Sequence, residues 1–245
     1  LYGAALLHDL GHGPLSHTSE EIFSHDHEHW SKNLVKNYSP ITSILKKFGK
    51  DLPNEISELF ESRNLFSNPL KTLISSEIDC DRLDYLLRDS YNTGTKYGLV
   101  DLERIISALT FSPDGNIAIK PKGVIAIEHF LVIRNIMYRT IYNHRINEIT
   151  NWILKKIIYT IKNNFTKKIW LDDCIYKWIF TPKKLDIKDF LANDDITFYY
   201  HLMKWSHESY EPLKTLCKMF IDRNLLKATD ISFLSKIKRI EILAY

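Results

Sequence analysis

The chain has 245 residues, 44% of them hydrophobic and 26% charged, a composition that supports one large domain with a normal globular core. Its formal net charge of +3 argues against a dedicated nucleic-acid binder. No apolar run approaches the roughly 18–20 residues of a membrane span. The three scattered cysteines argue against a disulfide framework and favour the reducing cytoplasm.

The first third of the chain is predicted to consist of short helices. Residues 1–10 form an apolar helix that stops at the breakers Gly11 and Gly13-Pro14. Further helices are predicted over residues 15–24, 28–37, 41–48 and 54–62. Because the chain opens with Leu-Tyr-Gly-Ala-Ala-Leu-Leu, which is typical of a helix interior, we expect that upstream sequence is missing.

The middle of the chain combines longer helices with one hairpin. Pro69 opens a helix predicted to run through Arg88, and residues 122–148 form the clearest long helix. Between them, residues 109–120 predict a small β-hairpin with its turn at Asp114-Gly115. Four polar or aromatic residues recur on one stripe of the long helix: Arg134, Tyr138, Tyr142 and Arg145.

The last third is again predicted to be helical. One helix covers about 149–165, and residues 172–245 alternate short helices with polar connectors. Asp194-Asp195 is predicted to cap the helix that follows it. The predicted fold class is therefore all-α with a small β-hairpin near 109–120. We expect a core over residues 1–168 and a helical C-terminal extension over residues 169–245 that packs on the core.

Histidine is concentrated at the start of the chain, together with interleaved carboxylates. Six of the ten histidines lie in the first 29 residues: His8, His12, His17, His25, His27 and His29. Asp9 follows His8 directly, and a second acidic run that contains Asp81 follows about seventy residues later. Imidazole and carboxylate together suit a divalent ion such as Mn, Mg, Fe, Ni or Zn. The pattern therefore predicts a metal-dependent hydrolytic site.

Three strings resemble the HD-domain phosphohydrolases, in their deoxynucleotide triphosphohydrolase (dNTPase) branch. The first is His-Asp-Leu-Gly-His-Gly-Pro-Leu-Ser-His at residues 8–17. The second is Ile-Asp-Cys-Asp-Arg-Leu-Asp-Tyr-Leu-Leu-Arg-Asp at residues 78–89. The third is Arg-Asn-Ile-Met-Tyr-Arg-Thr-Ile-Tyr-Asn-His-Arg at residues 134–145. They occur in the family's order within residues 1–150, and residues 170–245 add little to the resemblance.

The resemblance implies a metal site in an HD-type phosphohydrolase core over residues 1–168. Its ligands would be His8, Asp9 and Asp81. The family has one more histidine ligand upstream of the His-Asp pair, which we expect in the missing N-terminal sequence.

The resemblance also implies groups that act on the phosphates. His12 and His27 would touch phosphate, and His17 would be the general acid that protonates the leaving oxygen. Glu20, at the helical i, i+3 spacing from His17, would orient it. Arg82, which stands where the family often has lysine, would neutralise phosphate.

The remaining implied contacts are with the substrate. Arg134 resembles a ligand of the terminal phosphate, and Tyr85 a residue that packs against the sugar. Asp89 resembles the carboxylate that reads a ribose hydroxyl, and Tyr142 a residue near the sugar and base. Tyr138, on the same stripe, completes the predicted substrate-binding set.

Simpler interpretations remain open. His12, His17 and His27 could form a polar wall without a chemical role, and Glu20 could be a helix-surface charge. Arg82 could pair only with Asp79 or Asp89. The three tyrosines, Tyr85, Tyr138 and Tyr142, could be ordinary residues at the edge of an apolar core.

The implied function is hydrolysis of a dNTP to deoxynucleoside and tripolyphosphate by a cytoplasmic homo-oligomer, a dimer or tetramer, with a nucleotide activator. Two alternatives remain. One is a nucleotidase or phosphodiesterase that acts on another phosphorylated metabolite. The other is a non-catalytic module that binds nucleotide or nucleic acid, using a basic run that is otherwise a solvated helix face: Lys155, Lys156, Lys162, Lys167 and Lys168.

Overall fold

A computed structural model of the chain describes residues 1–60, 69–165, 169–229, 231 and 233–243. This part of the chain is mainly helical and contains one two-stranded antiparallel hairpin. The predicted all-α class with a hairpin near 109–120 is confirmed.

The N-terminal part is a series of short helices: α1 (Tyr2–Leu7), α2 (His17–Phe23), α3 (His27–Asn37), α4 (Ser39–Leu45) and α5 (Leu52–Glu58). The Asp26 side chain caps α3 by accepting a hydrogen bond from the backbone N–H of His29. Pro40 and Pro53 lie in the first turns of α4 and α5, where a missing N–H costs nothing. The end of the helix predicted over 54–62 lies outside the described residues.

The helix predicted from Pro69 through Arg88 is wrong in its first half. Residues Pro69–Leu73 form a 3-10 helix, and α6 (Cys80–Thr93) begins only after a break. The buried Asp79 carboxylate accepts hydrogen bonds from the backbone N–H groups of Ser76 at 2.9 Å and Arg82 at 2.7 Å. Asp79 therefore closes the preceding turn and caps α6, which a continuous helix would not allow.

The hairpin follows α7 (Leu102–Ala108) directly. Strand β1 (Leu109–Phe111) pairs with β2 (Ile117–Ile119) in an antiparallel register that sets Thr110 opposite Ala118. Gly115 in the connecting turn has a φ of 82°, as the Asp-Gly pair predicts.

The long helix predicted over 122–148 is wrong as a single element. A 3-10 turn (Pro121–Gly123) leads into α8 (Val124–Met137), a π-helical turn (Tyr138–Tyr142) follows, and α9 (Arg145–Asn164) begins after a break. The Asn147 side chain donates to the Ile141 carbonyl at 2.9 Å, and the His144 ring caps α9. Because Arg145 begins a new helix, it does not continue the stripe of Arg134.

The C-terminal part consists of short helices, as predicted: α10 (Asp173–Phe180), α11 (Ile187–Leu191), α12 (Asp195–Trp205), α13 (Glu211–Ile221) and α14 (Lys236–Leu243), with a 3-10 turn (Pro182–Lys184) after α10. Aspartate side chains cap α10, α11 and α12 at Asp172, Asp186 and Asp194.

The largest core cluster joins both ends of the chain. Phe23 and Trp30 from α2 and α3 are buried in it together with Ile153 of α9, Trp178 of α10 and Trp205 of α12. The predicted division at 168/169 falls beside residues 166–168, which lie outside the described part, and it stays a prediction. None of the described helices is both long and apolar enough to cross a membrane.

Candidate active site

His8 stands at the end of α1 with one ring nitrogen committed to the backbone. Its Nδ1 lies 2.9 Å from the carbonyl oxygen of Ala5, a contact that requires the Nδ1–H tautomer. Its Nε2 is buried and has no hydrogen-bond partner among the described residues. A buried nitrogen lone pair without a donor is costly unless something binds it.

Two carboxylates face this nitrogen. Asp9 follows His8 in the turn after α1, and Asp81 lies in the first turn of α6, two residues after the Asp79 cap. The distance from His8 Nε2 is 3.2 Å to Asp9 Oδ1 and 3.8 Å to Asp81 Oδ1. One ligand atom from each of the three residues lies within 4.8 Å of the others. The structure therefore brings together the three residues that were predicted as metal ligands.

The pKa values of the two carboxylates move in opposite directions. Burial raises the pKa of Asp81, and the negative charge of Asp9 raises it further. Burial also raises the pKa of Asp9, but a hydrogen bond from His12 and the charges of His8, His12 and His27 outweigh it, and the net pKa is lowered. Two carboxylates this close repel each other unless a cation lies between them.

The donor set fits a divalent ion. One imidazole nitrogen and two carboxylate oxygens are the ligands that Mn, Mg, Fe, Ni and Zn accept in proteins. A cation here would occupy the lone pair of His8 Nε2 and relieve the repulsion between Asp9 and Asp81. Three protein donors also leave coordination positions for water or substrate.

A second group of side chains lies beside the first. His12 and His27 stack with ring centroids 4.3 Å apart, and His17 lies edge-on to His12 at 4.6 Å. Glu20 connects two of these rings, because its carboxylate accepts from His17 Nδ1 at 3.1 Å and from His27 Nδ1. The four predicted catalytic residues are therefore in contact. His12 Nε2 lies 3.6 Å from Asp9 Oδ1, which joins this group to the metal-ligand group.

A cavity of about 620 Å³ opens over both groups. Of the predicted site residues, only Glu20 and Arg134 do not line it; those that do are His8, Asp9, His12, His17, His27, Asp81, Arg82, Tyr85, Asp89, Tyr138 and Tyr142. This volume is within the usual range for sites that bind small molecules.

Three tyrosines form part of the cavity wall. The Tyr142 hydroxyl donates to Asp89 Oδ2 at 2.7 Å, and the hydroxyl oxygens of Tyr85 and Tyr138 are 3.4 Å apart. Burial and the contact with Asp89 raise the pKa of Tyr142. Tyr138 and Tyr142 both lie in the π-helical turn, a geometry often found at functional sites.

The two predicted phosphate-binding arginines are differently placed. Arg82 lines the cavity while its guanidinium pairs with Asp79, the simpler contact considered from the sequence. Arg134 pairs instead with Glu77 and lies 5.6 Å from the centre of the Tyr138 ring. Arg134 is thus held by Glu77 and not at the wall of the cavity.

Sequence reasoning missed the residues that support the site. The Ser31 hydroxyl accepts from Gly11 N–H at 2.8 Å and donates to the His8 carbonyl, which fixes the loop after α1 on α3. Asp79 could have been found, since it stands three residues before Arg82 in a capping arrangement. No sequence signal connects Ser31 with His8.

The helical fold and a His8, Asp9 and Asp81 group facing a cavity define a class of protein, the metal-dependent phosphohydrolases of the HD type. Sequence comparison agrees, because the family model of the HD domain matches residues 1–89 and that of the HD associated region matches residues 100–243. The chain therefore belongs to the HD-domain phosphohydrolase superfamily, among members in which an HD associated region follows the HD domain. Phosphohydrolases of this superfamily are metal-dependent, and the group formed by His8, Asp9 and Asp81 is the candidate site for the metal in this chain.

Individual relatives differ in what is known of them. The uncharacterized protein YwfO of Bacillus subtilis is 33% identical over 230 residues, which are 94% of this chain and 53% of that protein. A deoxynucleoside triphosphate triphosphohydrolase SAMHD1 homolog of Dictyostelium discoideum is 26% identical over 245 residues, covering 93% of this chain and 43% of that protein.

A solved structure shares the fold. A phosphohydrolase from Bacteroides thetaiotaomicron superposes with a TM-score of 0.75 and 26% identity, over 98% of this chain and 61% of that one. The chain thus spans about half the length of the curated relatives described above.

Proposed function

We propose that this chain is a metal-dependent nucleotide phosphohydrolase that cleaves a dNTP into deoxynucleoside and tripolyphosphate. The observation that carries the proposal is the joining of three groups in one cavity. These are the His8, Asp9 and Asp81 ligand set, His17, which is held by Glu20 from outside the cavity lining, and the Tyr142 and Asp89 pair. The Dictyostelium relative, whose name states this activity, adds weaker support.

Each group has one task in the proposed reaction. A divalent ion held by His8, Asp9 and Asp81 would polarise a phosphoryl oxygen and lower the pKa of a bound water. Water attacks the α-phosphorus, and the bond from this phosphorus to the 5′ oxygen breaks. Glu20 accepts from His17 Nδ1, so Nε2 is the nitrogen from which His17 gives its proton to the leaving oxygen. The His17 side chain is 77% exposed, which leaves it accessible to substrate.

The phosphates and the sugar would meet different walls of the cavity. His12 and His27 stand next to the metal-ligand group and would bind phosphate oxygens together with Arg82. The Asp89 and Tyr142 pair lines the same cavity and offers a carboxylate acceptor and a hydroxyl, which suits a sugar hydroxyl.

The proposal also covers the assembly and the location of the protein. Exposed apolar residues on α8 and the hairpin, among them Ile125, Val132 and Phe111, support association into a homo-oligomer. A nucleotide activator and a cytoplasmic location complete the proposal, the second supported by three free cysteines.

The test is a product analysis with each of the four dNTPs. Protein is incubated with Mn²⁺ and single dNTPs or their mixtures, and products are separated by ion exchange. We expect tripolyphosphate and deoxynucleoside, and loss of both products in His8→Ala. His207→Ala is the matched control, because His207 is an exposed histidine that does not line the cavity.

Other products would favour one of the alternative functions. Monophosphate with pyrophosphate, or stepwise release of orthophosphate, would reject cleavage at the α-phosphorus and favour a nucleotidase. Turnover of bis(4-nitrophenyl) phosphate without turnover of any dNTP would favour a phosphodiesterase for another metabolite. Nucleotide retained without product, equally by the chain and by His8→Ala, would favour a binding module.

A further inference from the structure

The turn that precedes His17 has an unusual backbone. Leu15 has a φ of 62° and Ser16 a φ of 51°, a region that favours glycine and strains other residues. The turn is closed by a hydrogen bond from Ser16 N–H to the Gly13 carbonyl at 3.0 Å. His17 follows at once as the first residue of α2. The turn therefore sets the direction in which His17 enters the cavity.

Side chains of the HD associated region hold this turn. Asp195 Oδ1 accepts a hydrogen bond from the Leu15 N–H at 2.7 Å, across 180 residues of sequence. The Thr18 hydroxyl donates to Asn151 Oδ1 at 2.8 Å. The Trp178 ring closes over Gly13 so tightly that an added Cβ would lie 2.8 Å from it.

Asp195 is not needed as a helix cap. The capping predicted for Asp194-Asp195 belongs to Asp194, whose side chain accepts from the Thr197 N–H at 2.7 Å. Asp195 is the next residue, and its hydrogen bond is made to the turn of the HD domain instead. Two adjacent aspartates therefore have separable contacts, one within α12 and one with the candidate active site.

We propose that Asp195 is a positioning residue, which holds the strained turn at Leu15 and Ser16 so that His17 faces the leaving oxygen of the substrate. The inference rests on the proposed function, in which His17 protonates that oxygen. It gives the HD associated region a specific part in the reaction, because the carboxylate comes from outside the HD domain.

The first experiment compares a poor and a good leaving group. A deoxynucleoside leaves as an alkoxide and needs a proton, whereas 4-nitrophenolate leaves from bis(4-nitrophenyl) phosphate without one. Asp195→Ala is expected to lower kcat for the dNTP by up to about 100-fold, the loss that a misplacement of about 1 Å can cause, with KM within about twofold. Its kcat for bis(4-nitrophenyl) phosphate is expected to stay within about twofold of the unmodified chain.

Two variants serve as controls. Asp195→Asn keeps an oxygen that can accept from Leu15 N–H, so it is expected to retain most of the dNTP activity. Asp194→Ala removes only the cap, so it is expected to lower the unfolding temperature without changing kcat for either substrate. Equal losses for both substrates in Asp195→Ala, or an unchanged dNTP rate, would overturn the proposal.

A rescue tests the role of strain. Leu15→Gly places the residue without a Cβ where φ is positive, so the turn needs less support. In the Asp195→Ala background this second change is expected to recover a large part of the lost kcat. A double variant no faster than Asp195→Ala alone would contradict the proposed role of the strained turn.

The last measurement does not depend on turnover. The imidazole signals of His17 are recorded by NMR in the full chain, and we expect them to shift in Asp195→Ala but not in Asp194→Ala. Signals that do not move in Asp195→Ala would overturn the positioning role whatever the activity. A different result would separate the two proposals. If the unmodified chain turns over no dNTP but the His17 signals shift in Asp195→Ala, the proposed function is rejected, while the effect of Asp195 on the position of His17 stands.

Discussion

Among the carboxylates of the candidate site, Glu20 has the most strongly lowered pKa. Its carboxylate accepts from His17 Nδ1 at 3.1 Å, from His27 N–H at 3.0 Å and from the His27 ring. Burial raises its pKa, but these hydrogen bonds and the charge of His27 outweigh burial and lower the pKa from 4.5 to about 2. Because the pKa is lower in the folded state, ionised Glu20 stabilises the fold above pH 4.5, and this contribution is lost as the pH falls towards 2.

Glu20→Gln is therefore expected to cost stability in a pH-dependent way. With allowance for solvent screening, the free energy of unfolding should fall by about 1–2 kcal/mol at pH 6, and the difference from the unmodified chain should narrow at pH 3. Urea unfolding of the variant and of the unmodified chain at both pH values measures this difference in free energy. Glu21→Gln is the control, since Glu21 makes an exposed ion pair with Lys155 and should change stability by less than about 1 kcal/mol. A difference for Glu20→Gln that is the same at both pH values would contradict this account.

Asp81→Asn should change the free energy of unfolding in opposite directions in the absence and in the presence of metal. Without a cation, burial and the charge of Asp9 disfavour its ionised form, so Asp81→Asn should leave stability unchanged or raise it. With Mn²⁺ at about 100 times its Kd, the unmodified chain should gain about 2.7 kcal/mol, and Asp81→Asn much less. Thermal unfolding with and without Mn²⁺ measures the stability of each protein and its gain from the metal, and analysis of bound metal shows whether the site is filled. Asp84→Asn should gain as much as the unmodified chain, because Asp84 pairs with Arg88 outside the ligand group; a gain as small as that of Asp81→Asn would reject the assigned ligand set.

At the scale of elements, the loop that carries the His-Asp pair depends on close approach to α3. A Cβ on Gly11 would lie 2.0 Å from the His27 carbonyl oxygen and 2.5 Å from the Ser31 nitrogen. Both are backbone atoms of one helix, so neither can move alone. Gly11 is therefore required for packing, and its position fixes how far His8 stands from α3.

Gly11→Ala is expected to lower the free energy of unfolding by about 3 kcal/mol or more, because the loop must separate from α3. Gly49→Ala is the matched control, since its Cβ would lie an ordinary 3.5 Å from Leu52 Cβ and the change should stay within about 1 kcal/mol. Urea unfolding of both variants decides the matter. Similar small losses in the two would mean that the loop adapts to the added methyl group.

An element of the fold could be predicted from the sequence where neighbouring residues determine it, and was missed where distant contacts or side-chain caps do. The Asp114-Gly115 turn predicts the hairpin because glycine adopts the required positive φ without strain. The break before α9 was predicted about five residues too late, at 148/149, because apolar residues continue through the true break at 143–144. The Asn147 and His144 contacts that end one helix and start another leave no periodic signal. The break before α6 had a signal in Asp79, which the apolar pattern outweighed.

In the candidate site, too, residues close in sequence could be placed together from the sequence, and residues distant in sequence could not. His8 and His12 are four residues apart, so helical spacing predicts that they share a face, and Asp9 next to His8 can reach an ion placed between the two directions. Asp81 could be added only through family resemblance, because nothing in the spacing of residues 9 and 81 fixes their distance. The Asp195 contact with Leu15 spans 180 residues, and only the packing of two regions creates it.

For the whole molecule, the shared core implies that the HD domain and the associated region fold as one unit. Trp178 of α10 is fully buried, and its ring lies 5.2 Å from Phe23 of α2 and 5.3 Å from Phe190 of α11. Its Nε1 donates to the Asp189 carbonyl at 3.1 Å. The same ring covers Gly13, so the core extends up to the turn before His17.

Trp178→Ala should therefore weaken both regions together. Removal of a buried tryptophan is expected to cost about 3–5 kcal/mol, whereas Trp152→Ala, at an exposed position of α9, should cost about 1 kcal/mol or less. Urea unfolding followed by circular dichroism and by fluorescence of the remaining tryptophans, including Trp30 in α3 and Trp205 in α12, should give one coincident transition at lower urea. Two separate transitions would show that the regions unfold independently, and the hydrogen bond of Asp195 could then break while the HD domain stays folded.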